Sequence, residues 1–176
     1  VAERQPPANT YEALPEAQPE AIVIFCSNPR FQTAFEGFVE QELELRQGQF
    51  VPFVIAGGAG VLGQPERLPK EFKFMRDRPA LFRRHFPCLK RVVLINHEDC
   101  AYYRMLAEKL PGLLPGHASD PAHRAGADLP QVADVFNRLL SHLGLQTEYC
   151  YARFADADRT RVAFDLLPDG HGDEAT

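Results

Sequence analysis

The sequence predicts an α/β domain with a mainly parallel central β-sheet, flanking helices and a C-terminal antiparallel hairpin. Three observations predict it. Apolar, β-rich runs alternate with helical periodicity through most of the 176 residues, the pattern of a parallel sheet. The runs Ala21–Cys26 and Arg91–Asn96 scarcely alternate between polar and apolar, as in strands covered on both faces. Two final β-rich segments flank a polar Asp-Ala-Asp-Arg stretch, which reads as a hairpin.

The elements follow in order. Residues 1–20 hold four prolines and little periodicity, so they are expected to form an extended arm. The first strand, Ala-Ile-Val-Ile-Phe-Cys, ends at Ser27-Asn28-Pro29, where Ser or Asn can cap a helix and Pro suits its first turn. Phe31, Phe35, Phe38, Val39 and Leu43 recur at helical spacing, predicting a helix to about Gln47, and Gly48 stops it. A second strand at 51–56 leads into Gly57-Gly58-Ala59-Gly60, and Pro52 weakens its start. Residues 71–86 read as helical stretches broken by Pro79. The third strand runs into His97-Glu98-Asp99-Cys100, with a helix through Leu110. Residues 111–126, with three prolines and three glycines, predict a long loop. Leu129–Leu143 is an amphipathic helix closed by Gly144, followed by strands at 147–154 and 161–167. The domain is thus expected over 21–167, with a polar tail at 168–176.

Composition limits the functional classes. Hydrophobic residues make up 45% and charged residues 24%, enough apolar material for an ordinary core and too much for a disordered chain. Lys and Arg number 19 against 24 Asp and Glu, a formal charge of −5, with no basic block. That balance does not favour nucleic acid or an anionic membrane. The longest clean apolar run has six residues, Ala21–Cys26, far short of the roughly 20 a membrane-spanning helix needs. No secretory pattern is seen at the N-terminus, so a cytoplasmic address is expected. Four cysteines occur, Cys26, Cys88, Cys100 and Cys150. A chain of this size does not need a disulfide framework, and they read as reduced thiols, some of them candidate ligands.

Two short segments carry chemistry: Cys26-Ser27-Asn28-Pro29-Arg30 and His97-Glu98-Asp99-Cys100. Each lies where a buried strand gives way to a helix, the end of an α/β sheet at which ligands collect. Two thiolates and an imidazole supply three of the four tetrahedral positions of zinc. Three ligands and an open corner is the catalytic pattern, whereas four closed ligands is the structural one. Taken singly, Cys26 also reads as a small core residue, and Arg30 as a helix-end residue paired with Glu98 or Asp99.

In combination the residues resemble the zinc signature of the β-class carbonic anhydrases, Cys-x-Asp-x-Arg followed by His-x-x-Cys. Cys26, Arg30, His97 and Cys100 match it in order and setting. The likeness extends to the phenylalanine-bearing helix after Arg30, the Ala56-Gly57-Gly58 turn, the Val-Val-Leu-Ile run before His97 and the closing hairpin, about residues 21–167. The wording suggests a divergent bacterial branch. The resemblance implies Zn2+ held by Cys26, His97 and Cys100, and reversible hydration of carbon dioxide to bicarbonate by zinc-bound hydroxide. It also implies a homodimer or higher even oligomer. Carbonyl sulfide and carbon disulfide are related substrates of the same chemistry.

Three departures bear on that reading. The family's Asp is Asn28, the glycine after the second Cys is Ala101, and the Arg before the Ala-Gly turn has no counterpart. Asn28 keeps an acceptor oxygen but cannot take up a proton near neutral pH. Its implied role is to orient bound water, and Arg30, without its usual carboxylate partner, is expected to tune the site electrostatically. Asn is also a poorer ligand than Asp, which implies an open fourth position. Loss of an acid–base group lowers turnover by about 10²–10⁴, so weakened activity is expected, and a non-catalytic zinc-binding homologue that holds an anion or a protein partner is the alternative. Cys26–Arg30 also resembles the anion-binding thiolate loop of phosphatases and sulfurtransferases, but that reading leaves His97-x-x-Cys100 unexplained.

The remaining candidates read as structural. Glu98 and Asp99 suit the dipole of a helix start and receive no catalytic role. His117, Asp120 and His123 lie in the long loop and are expected to be solvated. Cys88 and Cys150 are expected to be packing residues, and Gly57–Gly60 lacks the spacing of a dinucleotide fingerprint.

Overall fold

The structure is a computed structural model that describes residues 11–63, 68–109 and 121–167. Five strands form one sheet: β1 (Ala21–Cys26), β2 (Phe50–Ile55), β3 (Arg91–His97), β4 (Gln146–Phe154) and β5 (Val162–Leu167). Their spatial order is β2-β1-β3-β4-β5. The first four are parallel, and β5 runs antiparallel to β4 as the hairpin partner. The helices are α1 (Gln32–Gln41), α2 (Pro69–His85), α3 (Ala101–Lys109), α4 (Pro121–Ala127) and α5 (Leu129–Leu140).

Both central strands are buried at nearly every position because the sheet is covered on both faces. Ala21, Val23, Phe25, Val93 and Ile95 face one way and pack on Phe31, Phe35, Phe38 and Val39 of the α1 segment. Ile22, Ile24, Val92 and Leu94 face the other way and meet Met75 of α2 and Leu129, Val132, Phe136 and Leu140 of α5. The period-2 geometry of a strand sends alternate side chains into opposite cores, so an unbroken apolar run is what this position requires.

Four expectations are corrected. First, α1 ends at Gln41 rather than near Gln47. The N–H groups of Glu42 and Leu43 both donate to the Phe38 carbonyl, and Glu44 adopts φ 54, a left-handed helix stop. The turn carries Leu43 and Leu45 into the core, so Leu43 fits the helical period without belonging to the helix. Second, α2 runs unbroken through Pro79. Proline costs one backbone hydrogen bond there, and burial of Met75 and Pro79 holds the helix together. Third, residues 121–127 of the predicted loop are helical, with Pro121 at the start, where its missing N–H is harmless. Residues 110–120, with His117 and Asp120, lie outside the described residues, as do residues 1–10 of the arm and the tail from 168. Fourth, Cys88 is exposed, its thiol donating to the Pro19 carbonyl at 3.2 Å. Cys150 is buried in the α1-side core, and its surroundings push the thiol up to about 12, chiefly by desolvation. No helix of the described residues is long and apolar enough to cross a membrane.

Candidate metal centre

Cys26 is the last residue of β1, and His97 is the last of the neighbouring β3. Three residues later Cys100 stands just before α3. Parallel pairing of β1 and β3 places both ends on the same edge of the sheet. Two sulfurs 74 residues apart in the chain, and the imidazole between them in sequence, thereby converge. One ligand atom from each of the three buried residues lies within 4.8 Å of the others. Among the described residues no fourth His, Cys, Asp or Glu joins the group.

The two sulfurs are 3.8 Å apart. A disulfide would need about 2.05 Å. Two sulfurs each about 2.3 Å from a tetrahedral zinc stand about 3.8 Å from one another. The observed separation fits that edge. The imidazole stands beside the pair. His97 Nδ1 lies 2.7 Å from the Glu98 carbonyl oxygen, which only accepts, so Nδ1 carries the hydrogen. That leaves Nε2 with a lone pair, and this atom is buried without a hydrogen-bond partner. An orphaned buried acceptor is costly, and a metal ion satisfies it. The ring is fixed from the side by Phe31, with centroids 4.3 Å apart, and Phe31 stacks in turn on Phe35.

The thiol pair is electrostatically split. Cys26 is driven toward thiolate chiefly by the hydrogen bond from Cys100, with a smaller pull from the Gly57 N–H, against burial. Cys100 is pushed up because its proton serves Cys26 and because burial resists a second negative charge. Without metal the pair shares one proton. The Gly57 N–H reaches Cys26 Sγ at 3.4 Å, and the N–H groups of Tyr102 and Tyr103 at the start of α3 favour charge on Cys100. Gly57 has φ 83, and a Cβ there would fall 2.4 Å from Tyr102. Only glycine brings this backbone so close to the sulfur.

Asn28 and Arg30 sit on the turn between β1 and α1. Asn28 Oδ1 accepts the Arg30 N–H at 3.1 Å. Arg30 Nη1 lies 3.8 Å from Asp99 Oδ2, and the guanidinium covers the Phe154 ring at 4.8 Å. Arg30 still lacks the motif carboxylate at position 28, and the pairing with Asp99 that the sequence offered is observed. Asp99 also takes Arg104 at 2.7 Å and Arg159 at 2.6 Å. Glu98 accepts the Phe154 N–H at 2.9 Å, and the exposed His123 stands 4.0 Å from its other oxygen. Sequence reasoning also missed Gln32. Its amide donates to the carbonyls of Cys26 at 2.9 Å and Asn28 at 2.8 Å, pinning the ligand turn. No motif announces such a residue, since its partners are backbone atoms.

No family model and no curated protein matches the chain. Solved structures do. A carbonic anhydrase from Streptococcus mutans matches with a TM-score of 0.51 at 12% identity, over 89% of this chain and 87% of that one. The chain has a β-carbonic-anhydrase-like fold. The β-carbonic anhydrase isoform I of Trichomonas vaginalis also matches, with a TM-score of 0.48 at 12% identity, over 90% and 88% of the two chains. That of Aspergillus fumigatus matches with a TM-score of 0.46 at 16% identity, over 87% and 77%. At such identities the likeness concerns architecture. In this carbonic-anhydrase-like fold the Cys26, His97 and Cys100 group stands at the carboxyl end of the parallel strands, where α/β sheets bind ligands.

Proposed function

We propose that the chain is a zinc-dependent lyase of the carbonic anhydrase type, interconverting carbon dioxide and bicarbonate. The observation that carries the reading is the 3.8 Å sulfur pair beside the orphaned His97 Nε2, on a fold shared with a carbonic anhydrase. Cys26, His97 and Cys100 are the proposed ligands of Zn2+. When bound, zinc lowers the pKa of a coordinated water and supplies a nucleophile for carbon dioxide. The protein's own groups do the rest. The Glu98 carbonyl keeps the His97 lone pair on Nε2. Gln32 and the Gly57 N–H hold the Cys26 turn in place. Asn28 Oδ1, with one lone pair used by Arg30, has a second with which to orient the reacting water. Arg30 adds positive charge that favours an anionic nucleophile and the bicarbonate product.

The reading includes assembly as a homodimer or higher even oligomer. Exposed Phe74 and Leu81 on α2 leave apolar surface that such an interface would cover. A cytoplasmic address belongs to the same proposal. Two measurements test the function. Metal analysis should find about one zinc per chain, lost in Cys100→Ser and kept in Cys150→Ser. Stopped-flow hydration of carbon dioxide should then show zinc-dependent turnover. Zinc without hydration of carbon dioxide, carbonyl sulfide or carbon disulfide would leave the chain a zinc-holding binding protein.

A further inference from the structure

Three guanidinium groups meet on one carboxylate beside the metal centre, and the proposed reaction does not use two of them. Asp99 is buried, whereas the side chains of Arg30, Arg104 and Arg159 are 50%, 53% and 41% exposed. They come from three separate parts of the chain: the turn after β1, the first turn of α3 and the β4–β5 turn. Three positive charges therefore face one negative charge. Each guanidinium carries five N–H donors, so about fifteen donors meet a carboxylate with about four lone-pair sites. Two donors are spent on backbone carbonyls, Arg30 on Arg159 at 3.4 Å and Arg104 on Asp99 at 3.4 Å.

Among the described residues the three guanidiniums share Asp99 as their one ion-pair partner, and Asp165 is taken by Arg153.

Aromatic and backbone contacts shape the cluster. Arg30 and Arg159 both rest on the Phe154 ring, at 4.8 and 4.5 Å. Asp99 and Arg159, joined at 2.6 Å, both hold left-handed backbone, with φ 57 and φ 56. A side chain other than glycine pays about 1–2 kcal/mol for that conformation. Such outliers persist where the surroundings over-determine them, and they cluster at ligand sites.

We propose that Arg30, Arg104 and Arg159, gathered around Asp99, form a receptor for a small oxyanion. Forked guanidinium donors suit the oxygens of a carboxylate, bicarbonate, phosphate or sulfate, and bind them more strongly than a spherical halide. Bicarbonate belongs to this class, but the site does not rest on the lyase reading, because its charges stand without a metal.

The test uses the protein as purified, its metal content measured separately. Sodium sulfate is titrated at constant ionic strength against sodium chloride while the arginine Nε–Hε signals are followed by NMR. The expected result is saturable movement of the Arg30, Arg104 and Arg159 signals with sulfate and none with chloride. Arg104→Gln and Arg159→Gln should each weaken sulfate binding at least about tenfold, the loss that goes with charged hydrogen bonds, while Arg76→Gln leaves it unchanged. If Arg159→Gln does not fold, Arg104→Gln decides alone, since that side chain is half exposed. Shifts that merely track ionic strength, or saturable binding that survives Arg104→Gln, would overturn the proposal. An anion bound only at the metal would also survive it.

Discussion

Replacing Asn28 by Asp puts a proton-binding group beside Arg30 without changing the shape of the turn. The bond from the Arg30 N–H to Asn28 Oδ1 at 3.1 Å needs only an acceptor, so the variant keeps it and the cost to the fold is small. To assist the new carboxylate, the Arg30 guanidinium must leave Asp99. That contact is long, 3.8 Å, and half exposed, and such pairs are worth about 0–1 kcal/mol. Redirecting Arg30 therefore costs at most about fivefold in rate. A positioned acid–base group contributes about 10²–10⁴-fold. The balance predicts a gain in kcat/KM of at least about twentyfold. It is read by stopped-flow hydration of carbon dioxide with a pH indicator, normalised to bound zinc. If the zinc-loaded Asn28→Asp protein is no faster than the parent, Asn28 is not the group that limits this site.

Three further outcomes follow from the geometry. Zinc affinity should rise about tenfold per pH unit across neutrality, because Cys100 keeps a proton that metal binding must expel while Cys26 is already held as thiolate. Competition with a chromophoric chelator measures this, and a flat profile would contradict it. Gly57→Ala forces a side chain into φ 83 and to within 2.4 Å of Tyr102, so it should cost at least about 2 kcal/mol of stability in urea unfolding. It should also loosen the Cys26 contact. Phe31→Ala empties a fully buried site against His97, Phe35 and Phe154 and should cost about 3–5 kcal/mol, with weaker zinc retention as the imidazole loses its wall.

The sheet and the convergence of Cys26, His97 and Cys100 are legible because both follow from local pattern. The β1 and β3 runs are apolar throughout since each feeds two cores, and their ends carry Cys26, His97 and Cys100. What was hidden depends on contacts between distant segments. Asp99 reads as a helix-start acid with Arg30 as a candidate partner, and nothing in the sequence announces that Arg159, 60 positions away, also meets it. Gln32 carries no signal because it binds backbone carbonyls. Pro79 reads as a break, but tertiary burial outweighs a local breaker and the helix continues. Leu43 misled for the converse reason, its apolar side chain being buried by a turn rather than a helical face.

The candidate centre takes one donor from β1 and two from the end of β3, the adjacent strands at the middle of the sheet. An ion seated there would clasp the two strands together. Its binding energy would then be shared with the folding equilibrium: each tenfold rise in free zinc above the dissociation constant adds about 1.4 kcal/mol of resistance to unfolding. The lifetime of such a protein in a cell would follow the supply of the metal, and scarcity would remove the molecule itself as well as its chemistry.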